Sequence, residues 1–276
     1  MNVQLIAFGG DLRMNGLLRA ARRAGFACDH VREKRELGAL KQHADVLVLP
    51  WPRSFAGGML FGTQIDERTL LDALPSGDLV MAGGVKAQDF PRAGQVFDPS
   101  GDEELLLLNA KLTAEGAIAA LLNGGRDALM GKCCLITGFG RIAQALTQRL
   151  TAMEMFVIVC ARNEGQMQLA HRVGAHPVPM RELAFAAMQA DYVINTAPAR
   201  LFGSEALAQM KPGVRYLELA GVPYGADPEQ AAHLGVSMEI MSGLPGKYAP
   251  ERAGEALFDA LSRVLQRMQG ESGEGN

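Results

Sequence analysis

KCCLITGFGRIAQALTQRL, Lys132 to Leu150, decides the fold. Lys132–Thr137 is an apolar run of strand length, Gly138 to Ala143 reads GFGRIA, and the residues after it repeat with helical period. Strand, G-x-G-x-x-A turn and helix in that order make the phosphate-binding corner of a dinucleotide domain. Gly138 permits the tight turn, Gly140 lets the backbone approach a pyrophosphate, and Ala143 lets the helix pack closely on the strand. The helix N-terminus adds unpaired N–H groups and the positive end of a dipole. Gly138, Phe139, Gly140, Arg141 and Ile142 are therefore the first candidate cofactor contacts. A glycine turn that only packs is the competing reading, and what weighs against it is the surrounding βαβ unit of about 30 residues.

The next strand, Phe156 to Cys160, ends in CARNEG. An acidic side chain at that tip would accept hydrogen bonds from an adenosine ribose diol, whereas a guanidinium forks onto a 2′-phosphate. Arg162 and Asn163 stand there, so NADP is expected over NAD, with Glu164 two residues on as the competing signal. Thr196, Ala197 and Pro198 follow Asn195 at the end of a later strand, where such sheets hold the nicotinamide half. An Asn-initiated turn before proline is the bland alternative.

Outward from this unit, short apolar runs alternate with helical stretches through the whole chain. Val3 to Phe8, Ala27 to Val31, Ala44 to Leu49, Asp78 to Ala82 and Gln95 to Phe97 read as strands in the first half. Lys132 to Thr137, Phe156 to Cys160, His176 to Val178, Asp191 to Asn195, Tyr216 to Leu219 and Val236 to Ile240 do so in the second. The expected fold is α/β, two doubly wound Rossmann-like domains with a C-terminal helix packing across the junction. Residues 1–112 form the substrate domain, 113–245 the NADP domain, and 246–276 the returning helix with a frayed tail. Leu12, Leu17, Leu18 and Ala21 mark the buried face of a first helix, and WPRSFAGGMLFGT (51–63) is an irregular loop. Between the halves a leucine run and a separate helix capped by Thr113 are expected; one long helix from Ser100, with Glu103 in a capping box, competes.

Composition removes other classes. A net charge of −3, with Lys and Arg dispersed, leaves no basic face for nucleic acid. No apolar run of roughly 18 to 20 residues and no signal-peptide start are read, so a cytoplasmic protein away from membranes is expected. Cys28, Cys133, Cys134 and Cys160 form no CxxC, and the five histidines show no ligand spacing, so reduced thiols and no metal are expected.

Further blocks lie along the chain: GGD with a following Arg (Gly9, Gly10, Asp11, Arg13), NxxxTxEG (Asn109, Thr113, Glu115, Gly116), INTAPA (Ile194 to Ala199) and GLPGKYAPERAG (Gly243 to Gly254). With GFGRIA and CAR (Cys160 to Arg162), and in this order, they resemble the family of dipicolinate synthase A-type subunits over nearly the entire chain. The resemblance implies oxidation of dihydrodipicolinate to pyridine-2,6-dicarboxylate with NADP, in complex with a flavoprotein-like B subunit, in sporulating cells. The chain departs from the family at Glu218, where Asp is usual, and at Val222-Pro223-Tyr224-Gly225, where a basic residue and Gly-Gly are common.

Aromatisation of a dihydropyridine needs loss of one hydride and one proton, so orientation and electrostatics suffice. Gly10, Asp11, Asn109 and Thr113 are the candidate substrate contacts, and Glu115 and Lys247 the candidate catalytic residues, around a cleft between domains. Lys247 is placed at the N-terminus of the last helix as a carboxylate partner, with a solvated lysine as its alternative. Glu115 is a carboxylate acid or base, or else a first-turn Glu; Asp11 and Asn109 have capping and turn alternatives. Another NADP-dependent dehydrogenase of a small carboxylate, or a non-catalytic NADP-sensing regulator, are the other functions. A hydroxy-acid dehydrogenase would bring an Arg and a His paired with a carboxylate, and His233 is the only late histidine. Homo-oligomerisation is expected from the apolar last helix and the helix after Thr113.

Overall fold

A computed structural model describes residues 3–124 and 127–273. The chain forms two compact units, Met1–Asn109 with Pro245–Asn276, and Ala110–Leu244. In chain order the first unit holds β1 (Gln4–Phe8), α1 (Leu12–Arg23), β2 (Ala27–Val31), β3 (His43–Val48), β4 (Phe55–Ala56), β5 (Met59–Leu60), α2 (Glu67–Ala73), β6 (Ser76–Met81) and β7 (Ala93–Phe97). Its parallel sheet has the order β2-β1-β3-β6-β7, while β4 and β5 pair antiparallel. α3 (Glu103–Gly124) begins in the first unit and ends in the second.

The second unit continues with β8 (Cys133–Thr137), α4 (Arg141–Ala152), β9 (Phe156–Ala161), α5 (Glu164–Arg172), β10 (His176–Pro179), α6 (Leu183–Gln189), β11 (Tyr192–Asn195), α7 (Ser204–Ala208), β12 (Arg215–Glu218), α8 (Pro228–His233) and β13 (Ser237–Ile240). Its six parallel strands run β10-β9-β8-β11-β12-β13, the doubly wound order of a dinucleotide domain. α9 (Leu244–Tyr248) and α10 (Pro250–Gly273) close the chain.

Central parallel strands are covered on both faces and so read as unbroken apolar runs. In β1, Leu5 and Ala7 enter the core shared with α1 and α10, while Ile6 and Phe8 enter the opposite one with Leu60, Ile65 and Leu70. α1 buries Met14, Leu17, Leu18 and Ala21, but Leu12, expected on that face, is exposed at the helix start. α10 packs on α1 within the first unit through Ala256, Leu257, Ala260 and Leu261. The face of α10, one of the two helix faces offered as reasons for self-association, is thus covered within the first unit, while Leu107 and Leu122 of α3 stay exposed.

Three expectations are corrected. The leucine run and the following helix are one element, α3, whose first turn is capped by Asp102: Leu105 N–H donates to its Oδ1 at 2.8 Å. Thr113 lies buried inside it and does not start a helix; an interior Thr or Gly costs a helix about 1 kcal/mol or less, which burial of Leu105, Ala114, Ala117 and Leu121 outweighs. By length and composition α3 is also apolar enough to cross a membrane, although half of its most apolar stretch is buried within the protein. At the other end, the expected single last helix is two, because Pro250 starts a new one where its missing N–H costs nothing. α10 then runs to Gly273; the rest of the tail, 274–276, lies outside the described residues, as does Gly125 at the expected end of α3. The four thiols are free, and burial pushes Cys160 up to about 12.

Candidate dinucleotide and substrate site

The corner between β8 and α4 has two different glycines. Gly138 sits at φ +82°, where a side chain is strained, and a Cβ there would lie 3.1 Å from Thr196 Oγ1 and 3.3 Å from the Ala197 methyl. Gly140 is extended, at the N-cap of α4 with no side-chain cap, and a Cβ there would meet nothing within 4 Å. The corner is therefore closed where the Thr196–Ala197 loop passes and open at the helix end, which is the shape a pyrophosphate needs. Ala143 is fully buried, as close helix packing requires, and Ile142 is half-buried. Arg141 is exposed. Phe139 is buried in the core, so only its backbone faces the turn.

At the tip of β9, Arg162 is exposed and has no hydrogen bond or ion pair with any described residue. Asn163 is committed to structure: its Oδ1 accepts from Gln166 N–H at 2.9 Å and caps α5.

Beneath the Thr196–Pro198 loop lies a buried polar network that the motifs did not reveal. Strand register sets Asn195 between Thr137 on β8 and Glu218 on β12. Thr137 Oγ1 donates to Asn195 Oδ1 at 2.5 Å, and Asn195 Nδ2 donates to Glu218 Oε1 at 2.7 Å and to Ala197 O at 3.0 Å. Glu218 also accepts from Gly225 N–H at 2.8 Å, Ala220 N–H at 3.0 Å and Tyr216 OH at 3.3 Å. Burial pushes the Glu218 carboxyl up, and these four donors pull it back towards the charged form. Gly225 is required, because a Cβ there would collide with Tyr216 OH and Asn195 Nδ2. The visible signal was a polar residue closing each apolar strand: Thr137, Asn195 and Glu218. Glu218→Gln sets an amide N–H₂ against one of those donors. Its expected cost is about 1–3 kcal/mol, read by urea unfolding, and unchanged stability would show that the four bonds are not all made.

In the first unit, Gly9 and Gly10 follow β1 with positive φ, and Gly10 N–H donates to Phe61 O at 2.7 Å. Asp11 caps α1 through Arg13 N–H at 3.0 Å and ion-pairs with the Arg13 side chain. Gly246 lies against that pair: a Cβ on it would be 2.8 Å from Asp11 Oδ2. The GGD and GLPGK blocks, far apart in sequence, therefore meet. Lys247 is exposed, in the last turn of the five-residue α9 rather than at the start of α10, so the helix-dipole argument for it does not apply. It also belongs to the first unit, not to the dinucleotide unit from which it was expected to act.

Glu115, Asn109 and Thr113 lie inside α3, so neither the first-turn nor the turn alternative describes them. Glu115 is exposed and pairs with Arg149 of α4 at 3.2 Å; Thr113 is buried and Asn109 half-buried. The fold also gathers His43, Asp45 and Asp78 with ligand atoms within 4.8 Å, a cluster that no spacing revealed. It lies at the amino ends of β3 and β6, where Asp45 already accepts from Gln4 N–H at 2.6 Å and His43 bonds Ser76.

Residues 112–220 match the family model of the D-isomer specific 2-hydroxyacid dehydrogenase NAD-binding domain. The chain is 25% identical over 245 residues, 84% of its length and 82% of the relative's, to the A-type subunit of dipicolinate synthase of Bacillus subtilis. Among solved structures it superposes on the A-type subunit of dipicolinate synthase from Bacillus halodurans with a TM-score of 0.82 at 21% identity, covering 95% and 97% of the two chains. The apo-structure of Escherichia coli D-lactate dehydrogenase follows at 0.62 and 13% identity, covering 97% and 98%. The resemblance read from the motifs holds along most of the chain, and the matched domain supports a dehydrogenase-like oxidoreductase with a nicotinamide dinucleotide cofactor.

Proposed function

We propose, taking as premise the resemblance to the A-type subunit of dipicolinate synthase that runs along most of the chain, that this protein oxidises dihydrodipicolinate to pyridine-2,6-dicarboxylate with NADP. The observation that carries the reading is the Gly138–Ala143 corner, closed at Thr196–Ala197 and open at Gly140 at the head of a twelve-residue helix. When bound, the oxidised dinucleotide supplies the hydride acceptor. The chain's own residues hold and orient it. The first-turn N–H groups of α4 face the open end of the corner. Arg162, exposed at the tip of β9 and unpaired among the described residues, offers a fork to a 2′-phosphate in the place where an acidic residue would read a ribose diol. The Thr137–Asn195–Glu218 network fixes the loop carrying Thr196, Ala197 and Pro198 at the carboxyl edge of the sheet.

The ring loses one hydride and one proton and becomes aromatic, so no activated nucleophile is required. Lys247, exposed and without an ion pair among the described residues, is the carboxylate partner, and Glu115, with Arg149 as counter-ion, is the carboxylate base. NADPH formation with dihydrodipicolinate, assayed with and without a B-type partner, tests the reaction and separates catalysis from NADP sensing. No NADPH under either condition sinks the substrate claim. For the cofactor, Arg162→Ala should weaken NADPH binding about 10- to 100-fold and leave NADH untouched, because a charge-assisted fork is lost. Wild-type protein that binds NADH more tightly than NADPH overturns the NADP assignment.

A 2-hydroxyacid substrate is the second reading, favoured by the match over residues 112–220. His233, however, is exposed at the end of α8 and has no carboxylate partner among the described residues, while Asp227 caps that helix and faces Arg200. The acid–base pair such a reaction uses is not assembled there.

A further inference from the structure

The first sheet reverses its winding between β1 and β3, and open parallel sheets bind ligands outside their carboxyl ends at such a reversal. Gly9-Gly10-Asp11 leaves one of those strands and the segment from Pro50 to Ser54 leaves the other. Arg13 stands at this point, only 8% exposed, and a charge so buried is costly unless it is paired. Asp11 clamps one side of its guanidinium: Nε lies 2.9 and 3.1 Å from the two carboxylate oxygens and Nη2 lies 2.9 Å from one of them. Nη1 has no partner among the described residues, yet it is not sealed from solvent. A guanidinium with one edge clamped and the other open is a pre-oriented donor for a second planar anion.

The surroundings fit that use. Gly246 passes over the pair where any side chain would strike Asp11 or Arg13 Nε, at 2.8 and 3.2 Å. Because Asp11 and Arg13 neutralise each other, net positive charge must come from elsewhere. Lys247, next to Gly246, and Arg53, on the segment leaving β3, are both exposed and form no ion pair with any described residue. Ser54, next to Arg53, is fully buried and ties that segment down: its Oγ donates to Pro50 O and accepts from Gly83 N–H, each at 3.0 Å.

We propose that Arg13 is the carboxylate-binding residue of the first unit. Its open Nη1 edge receives a carboxylate of the small substrate, Asp11 is its positioning residue, and Arg53 and Lys247 add the net charge. The assignment rests on the small-carboxylate reading above and gives Asp11, a poor partner for an anion, a role consistent with its own charge.

The test is calorimetric titration of the full-length protein with pyridine-2,6-dicarboxylate, alongside NADPH binding and melting temperature as controls on the fold. Arg13→Lys keeps the charge and loses the fork, so it should weaken dicarboxylate binding about 10-fold or more and raise KM with little change in kcat. NADPH affinity should not move, and Asp11→Asn should act in the same direction. Should Arg13→Lys fail to fold, the exposed pair Arg53→Ala with Lys247→Ala is the second variant, with a loss of about 10-fold expected. Unchanged dicarboxylate affinity in a folded variant overturns the proposal and leaves the oxidoreductase reading standing. If wild type instead binds a 2-hydroxy or 2-oxo monocarboxylate in an Arg13-dependent way, the dipicolinate reading falls and the subsite stands. Wild type that binds neither probe overturns the subsite.

Discussion

Gly140→Asp should abolish dinucleotide binding and leave the protein as stable as before. The two halves of that result come from the same geometry. Residue 140 is the N-cap of α4, in extended conformation and with open space where a Cβ would sit, so an Asp fits without strain. Asp is a better N-cap than Gly by a few tenths of a kcal/mol, because its carboxylate accepts from a free first-turn N–H. The same carboxylate then occupies the approach to the pyrophosphate and repels it. Like charges brought together in a binding site cost several kcal/mol, so NADPH affinity should fall about 100-fold or more while the melting temperature holds or rises slightly. Fluorescence titration and thermal unfolding on one preparation give both numbers. A variant that binds NADPH as wild type does would remove the Gly138–Ala143 corner from the cofactor site.

That corner could be read from sequence because all its parts are local: a strand, two glycines and a helix within nineteen consecutive letters, Lys132 to Leu150. The strands were legible for a similar reason. Parallel strands buried on both faces are apolar runs bounded by turn residues, and β1, β8 and β11 were each placed to within one residue. Failures occurred where tertiary burial overrides local preference. Thr113 looks like a cap, but the apolar residues on both sides of it are buried, and α3 continues through it. Leu12 has the spacing of a core residue but is the first residue of α1 and is exposed there.

The site was legible block by block and not in its assembly. Thr137, Asn195 and Glu218 become neighbours only through the register of β8, β11 and β12, the first of which lies three strands ahead of its partner β11 in the chain. Asp11 and Gly246 meet across more than two hundred residues, and nothing in either block says that Asp11 faces Arg13 rather than a ligand. Charge arithmetic supplies the missing hint: an Asp expected to contact a dicarboxylate needs a cation between them, and Arg13 lies two residues away.

How Arg13 is held leads to the largest expected loss of stability. Gly254→Val should destabilise the first unit by about 3 kcal/mol or more, since overpacking a contact that cannot relax belongs among the severe substitutions. α1 and α10 cross through facing glycines. A Cβ on Gly254 would collide with Arg13 O and lie 2.5 Å from Leu17 N and 2.8 Å from Gly16 C, and one on Gly16 would lie 2.7 Å from Glu251 O. Every one of those atoms is backbone, so no rotamer change relieves the clash and the helices must separate. Separation uncovers Leu17, Ala21, Leu257 and Leu261, which are buried in the shared core. A fall of about 10 °C in melting temperature is expected, from roughly 2–4 °C per kcal/mol for a chain approaching this size. Gly254→Ala should cost less, but still more than an ordinary exposed substitution. Because Arg13 O is one of the colliding atoms, any Gly254→Val protein that folds should also bind pyridine-2,6-dicarboxylate more weakly, while NADPH binding in the second unit stays intact. Wild-type melting in Gly254→Val would mean that α10 does not pack on α1 through these glycines, and the orientation of Arg13 would lose its structural basis.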